Sequence, residues 1–184
     1  AKEMHSGQCR RDGTEYITHP MRVADYVAEL KASKNIETLL ASAYLHDTLE
    51  DTDATYYDLV GKFGSQVASI VLELTNDDDL KKALGKTKYL EIKMKNMSSW
   101  ALVIKLCDRL DNVSDLKDRD EKFRNKYARE TAEILDYLLN NRELSKTHLC
   151  IIKKIVECLN MCKVDSSEVV ETIQVVDNKV KALA

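Results

Sequence analysis

Glycine and proline are scarce, at five and one of 184 residues, about a quarter of the roughly 12% that they make up in average proteins. A many-stranded sandwich or barrel needs a turn signal every ~8–12 residues, so this shortage argues against that class. No sign of charge dominates: 28 basic and 31 acidic residues leave a net −3. The whole chain therefore lacks the electrostatic footprint of a DNA-binding or anionic-membrane protein. No uninterrupted apolar run approaches the ~20 residues of a membrane span, and no signal-like segment opens the chain. The chain starts at Ala1 without an initiator Met, so its natural start is expected upstream. The five cysteines (Cys9, Cys107, Cys150, Cys158, Cys162) are odd in number and sit among apolar neighbours. They read as reduced core thiols rather than a secreted disulfide framework, and cytoplasm is the expected location. His148 and Cys150 lie near Cys158 and Cys162, but without a C-x-x-C pair packing is favoured over a metal site.

What is present is a folding composition, 44% hydrophobic and 32% charged, in a chain long enough to bury roughly 70% of its unfolded surface. Apolar spacing of three and four recurs nearly throughout, which predicts a soluble, all-α single domain. A short opening helix is expected, then a loop over Arg10–Ile17. Pro20 marks the start of a helix running to about Ala32. The next helix, about Asn35–Thr48, is apolar nearly all round and is expected to be central. Thr55 with Asp58 resembles a capping box for a short helix ended by Gly61 and Gly64. Further helices are expected at about Gln66–Thr75, Leu80–Asn96, Ser99–Lys117, Glu121–Asn141, Ser145–Lys163 and Ser167–Leu183. Asp77, Asp78 and Asp79 read as a solvated turn and N-cap, since the Gly and distal Glu of a calcium loop are missing.

The anomaly is His46-Asp47 at the end of the apolar third helix, because a carboxylate in apolar surroundings is costly unless paired or metal-bound. Glu50 and Asp51 follow four residues after His46 and Asp47, so a continuing turn would gather four polar groups. Asp108 interrupts the apolar stretch Val103-Ile104-Lys105-Leu106-Cys107-Asp108-Arg109-Leu110. At ~100° per residue, Lys105, Asp108 and Asn112 share an arc of about 60°, a polar stripe suited to a pocket wall. His19 precedes Pro20 at a helix start, which favours a fixed imidazole. Any one of these residues alone reads as an internally bonded core group. Together, His19, His46, Asp47 and Asp108 offer two nitrogens and two carboxylates, a set that suits one divalent transition-metal ion such as Mn²⁺, Fe²⁺, Zn²⁺ or Co²⁺.

These motifs have a family resemblance. His5-x-Gly7-Gln8-x-Arg10-Arg11-x-Gly13-x-x-Tyr16-Ile17-x-His19-Pro20, His46-Asp47-x-x-Glu50-Asp51-Thr52, Phe63-Gly64 and Lys105-Leu106-x-Asp108-Arg109-Leu110-x-Asn112 resemble the hydrolase domain of the RelA/SpoT family. Members are HD-type metal phosphohydrolases that remove the 3′-pyrophosphate from ppGpp and pppGpp, the alarmones of the stringent response. The motifs span residues 5–112 in the family's order, while 120–184 reads as C-terminal helices without an assigned motif. No synthetase or regulatory domain follows, so the chain most resembles a free-standing small alarmone hydrolase, a single HD-type domain over 1–184. The resemblance implies His19, His46, Asp47 and Asp108 as metal ligands, with Mn²⁺ the usual ion. It implies Glu50 and Asp51 as the acidic pair that handles water and protons, and Arg10, Arg11 and Asn112 as nucleotide contacts. Arg11 stands where the family often has Lys, Glu15 where it often has Pro, and Asp111 where His is frequent.

The chemistry agrees. A divalent ion lowers the pKa of its water and polarises a phosphoryl oxygen, a carboxylate accepts or orients the proton, and guanidinium groups bind phosphate bidentately. Lys105 and Tyr127 lie where they either reach substrate or pack. The reading is an all-α enzyme acting on a small-molecule nucleotide, with neither nucleic acid nor membrane as partner. Two alternatives stand beside it. One is a related HD phosphohydrolase acting on another nucleotide, such as (p)ppApp or a phosphorylated dinucleotide. The other is a non-catalytic alarmone-binding domain, which the complete ligand set and acidic pair disfavour.

Overall fold

Helical spacing of apolar residues carries through to the structure, a computed structural model that describes residues 1–162, 164 and 166–183. In chain order its α-helices are α1 (Thr18–Leu30), α2 (Ile36–Leu45), α3 (Thr48–Asp51), α4 (Tyr56–Phe63), α5 (Ser65–Leu74), α6 (Asp78–Leu84), α7 (Lys86–Asn96), α8 (Ser99–Ser114), α9 (Glu121–Asn141), α10 (Lys146–Met161) and α11 (Ser167–Leu183). The described residues hold no strand beyond one isolated antiparallel bridge, Cys9 to Glu15. The fold class is all-α, as expected. None of the described helices is long and apolar enough to cross a membrane. The chain divides into two units. The first is Ala1–Asp77 with Ser98–Asp108, and the second is Asp78–Met97 with the described residues from Arg109 onward.

In the first unit, α1 buries His19, Pro20, Val23, Ala24 and Val27 and packs on α2, whose buried face is Leu39, Ser42, Ala43 and Leu45. Helix α5 packs against α2, α3 and α4. Leu45, Leu59, Val67, Ala68 and Val71 form one apolar cluster there, and fully burying each Leu or Val contributes about 1.5–3 kcal/mol. The capping box is present: Thr55 Oγ1 accepts from the Asp58 N–H at 3.2 Å, and Asp58 Oδ2 accepts from the Thr55 N–H at 2.9 Å. Gly64, at φ +84°, turns the chain from α4 into α5, while Gly61 lies inside α4. The part of α8 in this unit is buried from Ala101 to Asp108.

In the second unit, α9 begins where Asp120 Oδ1 accepts from the Phe123 N–H at 2.9 Å. It packs with α7, α10 and α11 through buried Ala128, Ala132, Ile134, Leu135 and Leu138. Ile151, Ile152 and Ile155 of α10 and Val169, Ile173 and Val176 of α11 complete that core. Tyr127 packs: it stacks on Phe123 and carries the Arg109 guanidinium 5.0 Å over its ring.

Several boundaries differ from expectation. The opening segment forms turns and no helix, with one four-residue backbone bond, His5 N–H to the Ala1 carbonyl, before the chain enters the Cys9–Glu15 bridge. So few residues do not offset helix nucleation. Helix α1 starts at Thr18, with Pro20 two residues inside its first turn, where no N–H is required. The helix expected over 35–48 stops at Leu45 and restarts as α3. The helix expected over 80–96 is two, separated by Gly85. Helix α8 ends at Ser114, and a 3₁₀ turn follows over Leu116–Asp118. Helix α10 ends at Met161, and its expected end at Lys163 lies outside the described residues.

Candidate metal centre and acidic pair

The break between α2 and α3 builds the centre of the first unit. His46 follows α2, and its Nδ1–H donates to the Ala43 carbonyl at 2.8 Å. That bond fixes the ring, so a neutral His46 presents an unprotonated Nε2. Asp47 follows at φ −100°, ψ −3°. His19 comes from the first turn of α1 and Asp108 from α8. His19 Nε2 lies 3.3 Å from Asp108 Oδ1 and 3.6 Å from Asp47 Oδ2. His46 Nε2 lies 2.9 Å from Asp47 Oδ2 and 4.0 Å from Asp108 Oδ1. One ligand atom each from His19, His46 and Asp108 falls within 4.8 Å of the others.

His46 Nε2 tests whether a cation fits. It is buried and makes no hydrogen bond, although Asp47 Oδ2 is 2.9 Å away. A nitrogen buried this way needs a partner, and an ion shared with the neighbouring carboxylates would supply one. Imidazole and carboxylate together suit a divalent transition metal. Burial pushes the Asp47 carboxyl up, but the charge that His46 carries when protonated outweighs it and holds the group at about 2. Burial also acts against an ionised Asp108, yet Lys105, with Nζ 2.9 Å from Oδ2, and the two imidazoles hold it well below the usual carboxylate range. Both carboxylates are thus ionised at neutral pH. Lys105 occupies Oδ2 of Asp108 while Oδ1 faces the imidazoles.

The acidic pair lies on α3. Both Glu50 oxygens accept from Asn76, Oε1 from Nδ2 at 2.9 Å and Oε2 from the backbone N–H at 3.1 Å. Asp51 is raised above its ordinary value by burial and then by the charges of Asp47 and Glu50. The Tyr16 hydroxyl donates to Asp47 Oδ2 at 2.6 Å and lies 3.2 Å from Asp51 Oδ2. Burial and then the Asp47 charge push this hydroxyl far up, so it stays a donor. Arg10 and Arg11 lie on the hairpin leading to α1, closed by the Arg10 N–H to the Thr14 carbonyl at 2.8 Å; Arg10 is half-buried and Arg11 exposed. Asn112 falls in the second unit, on the last turn of α8.

His19, His46, Asp47 and Asp108 are therefore brought together, with Asp51 one hydroxyl away. Sequence reasoning gave no role to Tyr16, Gln8 or Asn76. Tyr16, three residues before His19 in the motif, carried a usable signal; Asn76 carried none. His148 acts in the α10 capping box, its Nδ1 accepting from the Ser145 N–H at 3.2 Å, while Cys150 is exposed. Among the described residues the metal-competent group is the one at His19, His46 and Asp108.

An all-α fold that converges two imidazoles and two carboxylates defines a helical protein with a candidate divalent-metal site. The HD-domain model matches residues 1–143, and the chain belongs to that family. It is 42% identical over 143 residues to a guanosine-3′,5′-bis(diphosphate) 3′-pyrophosphohydrolase of Aquifex aeolicus, covering 73% of this chain and 19% of that protein. It is 40% identical over 118 residues to a protein of the same name in Danio rerio, covering 63% of this chain and 64% of that one. The chain thus spans about a fifth of the length of the first curated relatives it matches. A solved structure of a metazoan ortholog of SpoT, described as hydrolysing ppGpp with a role in starvation responses, superposes with a TM-score of 0.69 at 28% identity, covering 89% of this chain and 91% of that one.

Proposed function

We propose that this chain hydrolyses the 3′-pyrophosphate of guanosine alarmones, converting ppGpp or pppGpp to GDP or GTP plus pyrophosphate, with Mn²⁺ as its ion. The observation that carries this reading is the buried, unbonded Nε2 of His46 among His19, Asp47 and Asp108, in a chain similar to the Aquifex aeolicus and Danio rerio proteins named for that reaction. His19, His46, Asp47 and Asp108 would hold the ion, which when bound activates water and neutralises charge at the phosphoryl group. Asp51 and Glu50 orient the attacking water and take its proton. Water's oxygen joins the 3′ phosphorus, the bond from that phosphorus to the ribose oxygen breaks, and the 3′ hydroxyl regains a proton. Arg10 and Arg11 meet the phosphates and Asn112 lines the nucleotide site. We read 1–184 as one HD-type domain, supported by a family match that includes residues of both units. Chelation should abolish hydrolysis and Mn²⁺ restore it. Asp108→Asn, which keeps size but removes a charge, should weaken both Mn²⁺ affinity and turnover. Undiminished turnover by metal-free protein would contradict the reading.

A further inference from the structure

Tyr16 touches both halves of the site and belongs to neither. Its hydroxyl donates to Asp47 Oδ2 at 2.6 Å, the same oxygen that lies 2.9 Å and 3.6 Å from the two imidazole nitrogens. It also lies 3.2 Å from Asp51 Oδ2. These contacts join residues 31 and 35 positions apart, so tertiary structure creates them. Asp47 and Asp51 carry like charge on neighbouring turns, and such pairs repel. The Tyr16 hydroxyl oxygen lies within 2.6 Å of one carboxylate and 3.2 Å of the other.

The ring that carries this hydroxyl is fixed on two sides. The His5 ring packs against it with centroids 4.7 Å apart, and His19 meets it edge-on at 5.9 Å. Gln8 holds the backbone of the same acidic residue, its Nε2 donating to the Asp51 carbonyl at 2.8 Å, while its Oε1 accepts from His5 Nδ1 at 2.8 Å. The turns before α1 thus have two attachments to α3, one at the Asp51 backbone and one at its side chain. Asp47 needs such a hold, since it stands in the break between two helices without acting as a side-chain cap.

We propose that Tyr16 is a positioning residue whose hydroxyl sets the direction of Asp47 toward the metal cluster and ties it to Asp51 of the acidic pair. This rests on the functional reading above. Hydrogen-bond partners of metal ligands fix ligand orientation, and losing one costs about 10–100-fold in metal affinity or activity.

Tyr16→Phe removes the hydroxyl and keeps the ring between His5 and His19. Mn²⁺ titrated calorimetrically into the protein alone should bind about tenfold more weakly to this variant. At saturating Mn²⁺, kcat on ppGpp should remain roughly tenfold or more below wild type with KM nearly unchanged, because the contact to Asp51 is also lost. In an Asp51→Asn background the same substitution should cost far less in kcat, since residues acting through one contact are not additive. If wild type binds Mn²⁺ and cleaves ppGpp while Tyr16→Phe matches it in both, the positioning role is overturned and the functional reading stands. A Tyr16→Phe protein that has lost its helical circular dichroism also overturns it, because the fold is assigned to the ring. If wild type neither binds Mn²⁺ nor cleaves ppGpp, the functional reading fails first and this inference with it.

Discussion

Glu50 is exposed, yet both its oxygens are engaged by Asn76, 26 residues further along the chain. That hold suits a group assigned to proton handling, because the carboxylate is oriented without being drawn among the imidazoles. Glu50→Gln keeps the size and removes the base. It should leave Mn²⁺ affinity near wild type while kcat falls by roughly 10²–10⁴, read by calorimetry beside steady-state kinetics. Loss of the metal would instead place Glu50 among the ligands. His46 and Asp47 were legible in the sequence because charge inside an apolar helix is costly. Asp108 was legible for the same reason. The contacts that orient these groups were not: Tyr16 with Asp47, Glu50 with Asn76 and Gln8 with Asp51 each span more than twenty residues. No local pattern encodes them.

At the scale of the element, two breaks decide where side chains point. Between α2 and α3 the chain leaves the helix at His46 and Asp47 without a glycine or proline. Thr48 steadies the break, its hydroxyl donating to the Leu45 carbonyl at 2.7 Å. Apolar periodicity continues through this point, so the sequence predicts one helix across it. Helix α9 shows the opposite case: its observed span, Glu121–Asn141, matches the expected one because Asp120 caps its start. The second break is at Gly85, with φ +79° and ψ +150° between α6 and α7. Side chains rarely adopt that conformation, although a Cβ there would meet nothing within 4 Å. Gly85→Ala should therefore cost backbone strain alone, about 1–3 kcal/mol, measured by urea denaturation. An unchanged midpoint would show that the bend needs no glycine.

For the whole molecule, helices from distant parts of the chain build the centre. His19, His46 and Asp108 come from α1, the end of α2 and α8, with the last separated from the others by two helices of the second unit. Burial of apolar faces sets these positions, and the ligands ride on them. Composition alone argues against a many-stranded β sandwich or barrel, and apolar spacing indicates helices. The division into two units left no trace in composition, since no linker or glycine-rich tract marks it. The central claim is removal of an intact pyrophosphate from the 3′ side of a guanosine nucleotide. Product analysis of ppGpp and GDP, each incubated with the Mn²⁺-loaded protein, tests it most directly. GDP and pyrophosphate are expected from ppGpp, with negligible turnover of GDP. Equal turnover of the two, or stepwise release of single phosphates, would contradict it.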